Sequence, residues 1–190
     1  MAYPAKTALV TLVIMAGLSN THGQTASDST KAQKPTMVTE RAKVAFLVGT
    51  YTTRTTMPAG PSMPNGATGT GMSVITWALD SMFLSLQEEG DNSLLGRYKG
   101  HGMLGFDKPT GQFVLAMFNN AGDRPVYRGN FSGDTLVLQT RVPAPKGGFD
   151  QKILWYKQGD AVKLDVLNDS GKGFHTVLEQ TAIPAAHETK

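Results

Sequence analysis

The chain has no cysteine, which excludes disulfides, thiolate metal sites and a lipid-modified N-terminal Cys. Charge is also sparse. Only 17% of the 190 residues are Asp, Glu, Lys or Arg, and the net charge is +3, so the basic pI of about 9.1 reflects a small excess of Lys and Arg. The basic groups come no denser than Arg97 and Lys99, far from the basic stripe that a nucleic acid requires, and no nucleic-acid partner is expected. Long apolar runs are missing too. The longest, residues 8–18, follows Lys6 and leads to the small residues Thr21 and Gly23. A charged start, a core of eleven residues and a small-x-small exit describe a secretory signal peptide, and the core is shorter than the roughly 18 residues that span a bilayer. Cleavage near Gly23 is expected, with an uncleaved anchor as the alternative. The mature protein is expected to be periplasmic or secreted, without a membrane span.

Residues 24–43 are rich in Ser, Thr, Gln, Lys and Ala and cannot bury enough apolar area to offset the entropy of ordering, so they read as a disordered leader. Within 36–48, Val38, Arg41, Ala42 and Ala45 fall at helical spacing, enough for a turn or two of helix. With 40% hydrophobic residues, one core is sufficient. The organisation expected is a signal peptide at 1–23, a leader at 24–43, one domain at 44–184 and a tail at 185–190.

That domain is organised around residues 95–118. Gly96, Tyr98, Gly100, Gly102, Leu104 and Phe106 share one parity, while Arg97, Lys99, His101 and Met103 share the other. This is the period of an extended strand, with the first set facing inward and Arg97, Lys99 and His101 facing water. Pro109 and Gly111 then suit a hairpin turn into a second strand. The same grammar predicts strands at 45–56, 67–78, 80–88, 94–106, 112–118, 125–131, 135–141, 149–157, 161–167 and 174–183, separated by clusters of Gly, Asn, Asp and Pro. Short connections join neighbours antiparallel, so the fold class is all-β. An up-and-down barrel of about ten strands is favoured over a sandwich, because only the loop at 58–66 is long enough for a crossover. Closure requires the first strand to pair with the last.

Leu47-Val48-Gly49-Thr50-Tyr51, Gly96, the run 102–107 (GMLGFD), the run 110–114 (TGQFV), Tyr127-Arg128-Gly129 and a charged last strand around Glu179 together resemble the bacterial DUF1579 family. That family, of no assigned function, lies near the calycin and lipocalin-like barrels. The resemblance covers residues 46–183 and implies a lipocalin-like barrel in which Gly49-Thr50-Tyr51 closes the floor, with Tyr51 where the family more often has Trp. It implies no activity.

Local catalytic signatures are absent. No Ser occupies a nucleophile elbow, no phosphate-binding GxxxxGK[ST] loop occurs, and no HxxxH or ExxH pair offers two ligands to a metal. The carboxylate pairs Glu88/Glu89 and Asp165/Asp169 sit beside turn signals, where solvation is expected to leave them ordinary. No catalytic or metal residues are therefore assigned. A barrel of about ten strands is wider than one that side chains just fill, which points to a non-enzymatic binder of a small hydrophobic or amphipathic molecule. Trp77, Tyr98, Phe113 and Trp155 are the expected ligand wall. The alternatives are an envelope structural or interaction protein without a ligand, a haem-binding barrel using His175 as its axial ligand, and an enzyme of unknown type.

Overall fold

The computed structural model describes residues 37–60, 63–93, 96–144 and 147–186; the expected signal peptide, most of the leader and the last four residues lie outside them. Ten antiparallel strands form one closed barrel in which every strand pairs with its sequence neighbours. They are β1 (Gly49–Met57), β2 (Ala67–Ala78), β3 (Phe83–Asn92), β4 (Gly96–Asp107), β5 (Gln112–Asn119), β6 (Val126–Ser132), β7 (Thr135–Val142), β8 (Phe149–Gln158), β9 (Ala161–Asp169) and β10 (His175–Pro184). Closure comes from β1 against β10, in register from Tyr51 opposite Pro184 to Thr56 opposite Glu179. With both edges paired, the sheet offers no open ladder to another chain.

The connections at one end are tight. Gly133-Asp134 and Gly159-Asp160 each join two strands with a positive φ at the glycine alone, 59° and 60°, as the mirror-image turns favoured in two-residue hairpins require. The β2–β3 turn achieves its reversal with three consecutive non-glycine residues at positive φ, Leu79, Asp80 and Ser81. Such backbone costs about 1–2 kcal/mol per residue. Arg41 of the preceding helix steadies it by donating to the Ser81 carbonyl at 3.4 Å while its guanidinium lies over the Trp77 ring. At the other end the connections are longer, except the three residues between β3 and β4. The loop at 58–66 is a hairpin connection rather than a crossover, tied by a bridge between Gly60 and Met63.

The structure departs from the expected strand limits in three places, the first being residues 80–82, read as the start of a strand, which form the β2–β3 turn where Asp80 and Ser81 take a positive φ. Residues 45–48 do not extend β1: helix α1 (Met37–Val44) and a short 3-10 turn (Ala45–Leu47) precede it, so the helical spacing of Val38, Arg41 and Ala42 is realised inside the stretch read as leader. Strand β3 continues through Gly90, Asp91 and Asn92, which read as a turn. Pairing with β2 on one side and β4 on the other satisfies their backbone groups and overrides the local turn preference.

The core lies at the end with the tight turns. There Leu47, Leu84, Leu86, Leu104, Phe113, Leu115, Leu136 and Leu138 are almost fully buried. Phe106, Phe113 and Phe131 meet edge to face at centroid separations of 5.3 and 5.6 Å, each contact adding about 0.5–1.5 kcal/mol beyond area burial. The Tyr51 ring folds back over Gly49, where an added Cβ would sit 2.8 Å from the ring. Its hydroxyl shares its one proton between the carbonyls of Leu47 and Val48, each at 3.1 Å. Glycine at 49 thus makes room for the ring that ties the helical turn down, and Val44 and Leu47 join the core beneath it.

Candidate functional site

Inward positions of the strands separate into two halves along the barrel axis. In the half with the tight turns, Leu, Ile, Phe and Trp side chains fill the interior. In the other half, four inward positions on β2, β3 and β4 are glycine: 69, 71, 90 and 100. Gly71 faces Gly90 across the ladder, and a Cβ on Gly71 would fall 2.8 Å from the Gly90 Cα. This wall is bare backbone, and a cavity of about 250 Å³ opens against it. An engineered cavity of about 150 Å³ admits benzene, so this one has room for a ring with a short arm. Its deep side is apolar, formed by Leu115, Ile153, Trp155, Leu164 and Val166; its outer part carries Thr53, Thr55, Glu88, Tyr98, Tyr127, Gln151 and Gln180.

Two of these polar groups are ordered by hydrogen bonds. The Tyr127 hydroxyl donates to Gln151 Oε1, and Gln151 Nε2 donates to Asn168 Oδ1 at 2.9 Å. Burial pushes both tyrosines up to about 12: for Tyr98 the charges of Glu88, Tyr127 and Asp123 add to the desolvation, and for Tyr127 that of Asp123. Tyr98 lies along the glycine wall, its hydroxyl 2.6 Å from where a Cβ on Gly100 would stand. Glu88 brings a charge. Its carboxyl faces the lumen between Ser73 of β2 and Gly100 of β4, forms no hydrogen bond or ion pair among the described residues, and is raised above the usual carboxylate range by burial.

The expectation that Glu88 and Glu89 are both ordinary solvated carboxylates is therefore corrected. They lie in β3, not at a turn, and successive residues point to opposite faces. Glu88 enters the lumen and loses water, whereas Glu89 stays outside. A hydrogen bond from Lys99 at 3.1 Å, the lysine charge and a weaker contact from Arg97 hold Glu89 below its usual range. Asp169 departs as well, held low by the backbone N–H groups of Gly171, Gly173 and Lys172. The hydrophobic pattern alone offered no sign of Glu88; the signal available was its parity with Leu84 and Leu86 within one strand.

The four residues expected to form a ligand wall are placed differently from one another. Tyr98 and Trp155 line the cavity together. Phe113 is sealed in the packed half between Phe106 and Phe131. Trp77 is partly buried near α1 under Arg41. On β4, Tyr98, Leu104 and Phe106 face inward, and Arg97, Lys99 and His101 are exposed. His175 stands exposed at the first position of β10, and no histidine among the described residues lines the cavity. Among the described residues no cluster of three His, Asp or Glu side chains is placed to hold a metal ion.

A larger hollow of about 1140 Å³ lies on the outer side of the same glycine wall. It is a shallow concavity edged by the exposed side chains of Arg54, Met72, Glu89, Arg97, Lys99, His101 and Phe118. For a small molecule the enclosed lumen is the better site despite its smaller volume, because enclosure removes most of a ligand's surface from water.

The sequence model of a family described as "Protein of unknown function (DUF1579)" matches residues 36–164. No curated protein matches the sequence. Among solved structures, the fold is similar to the crystal structure of Rv2717c from M. tuberculosis, with a TM-score of 0.56 and 16% sequence identity, covering 76% of this chain and 96% of that one. At that identity the likeness extends to the fold.

Proposed function

This chain belongs to the DUF1579 family, and from that premise and the shape of its lumen we propose that it is an exported, non-enzymatic barrel that binds a small amphipathic molecule. The observation that carries the reading is the division of one interior into a packed apolar half and a half left open by glycine. A Cβ at 69, 71 or 90 would meet the backbone across the ladder, and one at 100 the Tyr98 ring, so glycine lets this wall bend and its strands approach closely while leaving the lumen beside it without side chains. The apolar floor would take the body of the ligand and the polar rim its head. The lining includes no serine, cysteine, histidine or lysine, which favours binding over nucleophilic chemistry. Export is supported by Lys6 and the apolar run at 8–18.

Two measurements test this. Trp155 lies in the cavity wall and Trp77 outside it, so Trp77→Phe leaves a single reporter whose emission should shift as small aromatic and aliphatic amphiphiles are titrated. No shift across the panel, together with an unligated mass on protein isolated from its own cell envelope, would overturn the binding reading. Mass spectrometry of the same protein should show loss of residues 1–23; an intact N-terminus in a cytoplasmic fraction would overturn export.

A second reading, an envelope interaction protein without a ligand, is favoured by the outer face. Met72 and Ile183 flank Thr52 across two ladders, and Phe118 lies opposite His101. All three apolar side chains are about half exposed. If the panel fails, crosslinking in the envelope with and without Met72→Glu and Phe118→Glu becomes the deciding measurement, and a partner captured equally by the variants would sink this reading.

A further inference from the structure

Resting on the lumen as the binding site, the structure also carries an inference about the charge of what binds there. The protein as a whole is basic, with 18 Lys and Arg against 15 Asp and Glu. Its cavity reverses that balance. No Lys, Arg or His lines it, while Glu88, Glu89 and Asp91 do. Glu89 and Asp91 stand on the outward parity of β3, Glu89 paired there with Lys99 and Arg97, which leaves the Glu88 carboxyl, unpartnered among the described residues, as the charged group aimed into the lumen.

The hydrogen-bonding groups point the same way. Because the Tyr127 hydroxyl spends its proton on Gln151, and Gln151 spends an amide proton on Asn168, the Tyr127 oxygen offers the cavity only lone pairs. The Glu88 carboxylate and the Tyr127 oxygen, which keeps no free proton, set two acceptors toward a ligand that donates, beside the Tyr98 hydroxyl, which can turn to accept or to donate. An anionic head would meet like charge at Glu88 with no cation to offset it, in an enclosed space where repulsion is weakly screened. We infer that the lumen binds an amphipathic cation, an apolar body seated against Trp155 and Ile153 with a protonated amine set against the Glu88 carboxylate.

The test uses three probes with one body and different heads: 4-phenylbutylamine, 4-phenylbutanol and 4-phenylbutyrate, titrated by calorimetry into the full mature chain and followed by Trp155 emission in the Trp77→Phe background. The amine should bind at least about tenfold more tightly than the alcohol, as a charge-assisted hydrogen bond implies, and the carboxylate most weakly. Glu88→Gln should bring the amine down to the affinity of the alcohol. Equal binding of amine and alcohol, or strongest binding of the carboxylate, with Trp155 responding, would overturn the charge inference and leave the lumen site standing. Silence from all three would overturn both. The ranking in the unsubstituted protein needs no variant, so a Glu88→Gln chain that failed to fold would leave the test intact.

Discussion

Replacing Glu88 by Gln should stabilise the ligand-free barrel, and the gain should depend on pH in a set direction. In the fold Glu88 has lost part of its water and has gained no hydrogen bond or opposite charge among the described residues. Its oxygens still reach water in the open lumen, since no buried side-chain oxygen is left unpartnered among the described residues, so the ionised form costs about 1 kcal/mol, the low end of the penalty for a desolvated polar group. The amide has the same shape without the charge. Because burial raises the folded-state value above that of the unfolded chain, the native state holds its proton to higher pH than the unfolded state does. Well below the ordinary carboxylate range both states are protonated, and variant and parent should be equally stable. As pH rises from there the unfolded carboxyl ionises first, and the parent loses stability relative to the variant until the native carboxyl ionises too. Above that point the difference is constant. The other titratable groups near Glu88 do not blur this window: Tyr98 and Tyr127 titrate only near 12, and Glu89 is held low. Urea unfolding at a series of pH values between about 3 and 8, followed by tryptophan emission, measures the difference directly through the midpoint at constant m. A variant less stable than the parent at neutral pH, or a difference that does not change with pH, would refute the claim that Glu88 is an uncompensated charge kept for something other than stability.

The floor of the barrel supplies a second test. Tyr51→Phe should cost about 1 kcal/mol through loss of the bonds to Leu47 and Val48, whereas Gly49→Ala should cost about 1–3 kcal/mol because its Cβ meets the Tyr51 ring; in the double variant Gly49→Ala/Tyr51→Leu the alanine penalty should shrink. Phe113→Ala should lower stability by about 3–5 kcal/mol, since the ring is sealed between Phe106 and Phe131. Phe118→Ala, on the outer face, should stay within about 0.5 kcal/mol of the parent, and equal effects at the two positions would contradict the packed-half assignment. Arg97→Ala should be nearly silent in urea unfolding, because its pairing with Glu89 is exposed on both sides.

Much of this architecture is written in local sequence. Side chains alternate in strands whatever lies beyond them, so the inward set Tyr98, Leu104 and Phe106 and the outward set Arg97, Lys99 and His101 can be separated by counting. Short turn clusters such as Gly133-Asp134 and Gly159-Asp160 force neighbouring strands together, and ten strands joined that way curl until first meets last. Alternation, turn chemistry and strand number therefore specify an antiparallel meander barrel without reference to any distant contact. What they leave open is everything that depends on register between strands. Gly71 meets Gly90 only because β2 and β3 pair as they do, and that meeting opens the cavity. Residues 89–92 (EGDN) read locally as a turn and are strand because two neighbours satisfy their backbone. Trp155 and Phe113 are alike in sequence as large rings on apolar strands, yet one borders the lumen and the other is sealed, because their positions along the barrel axis differ. Glu88 and Glu89 are adjacent in the chain, and a single step in parity places one in a desolvated lumen and the other beside Lys99 in water. Which side chain shares a space with which other is set by closure of the barrel, and the site is made of those shared spaces.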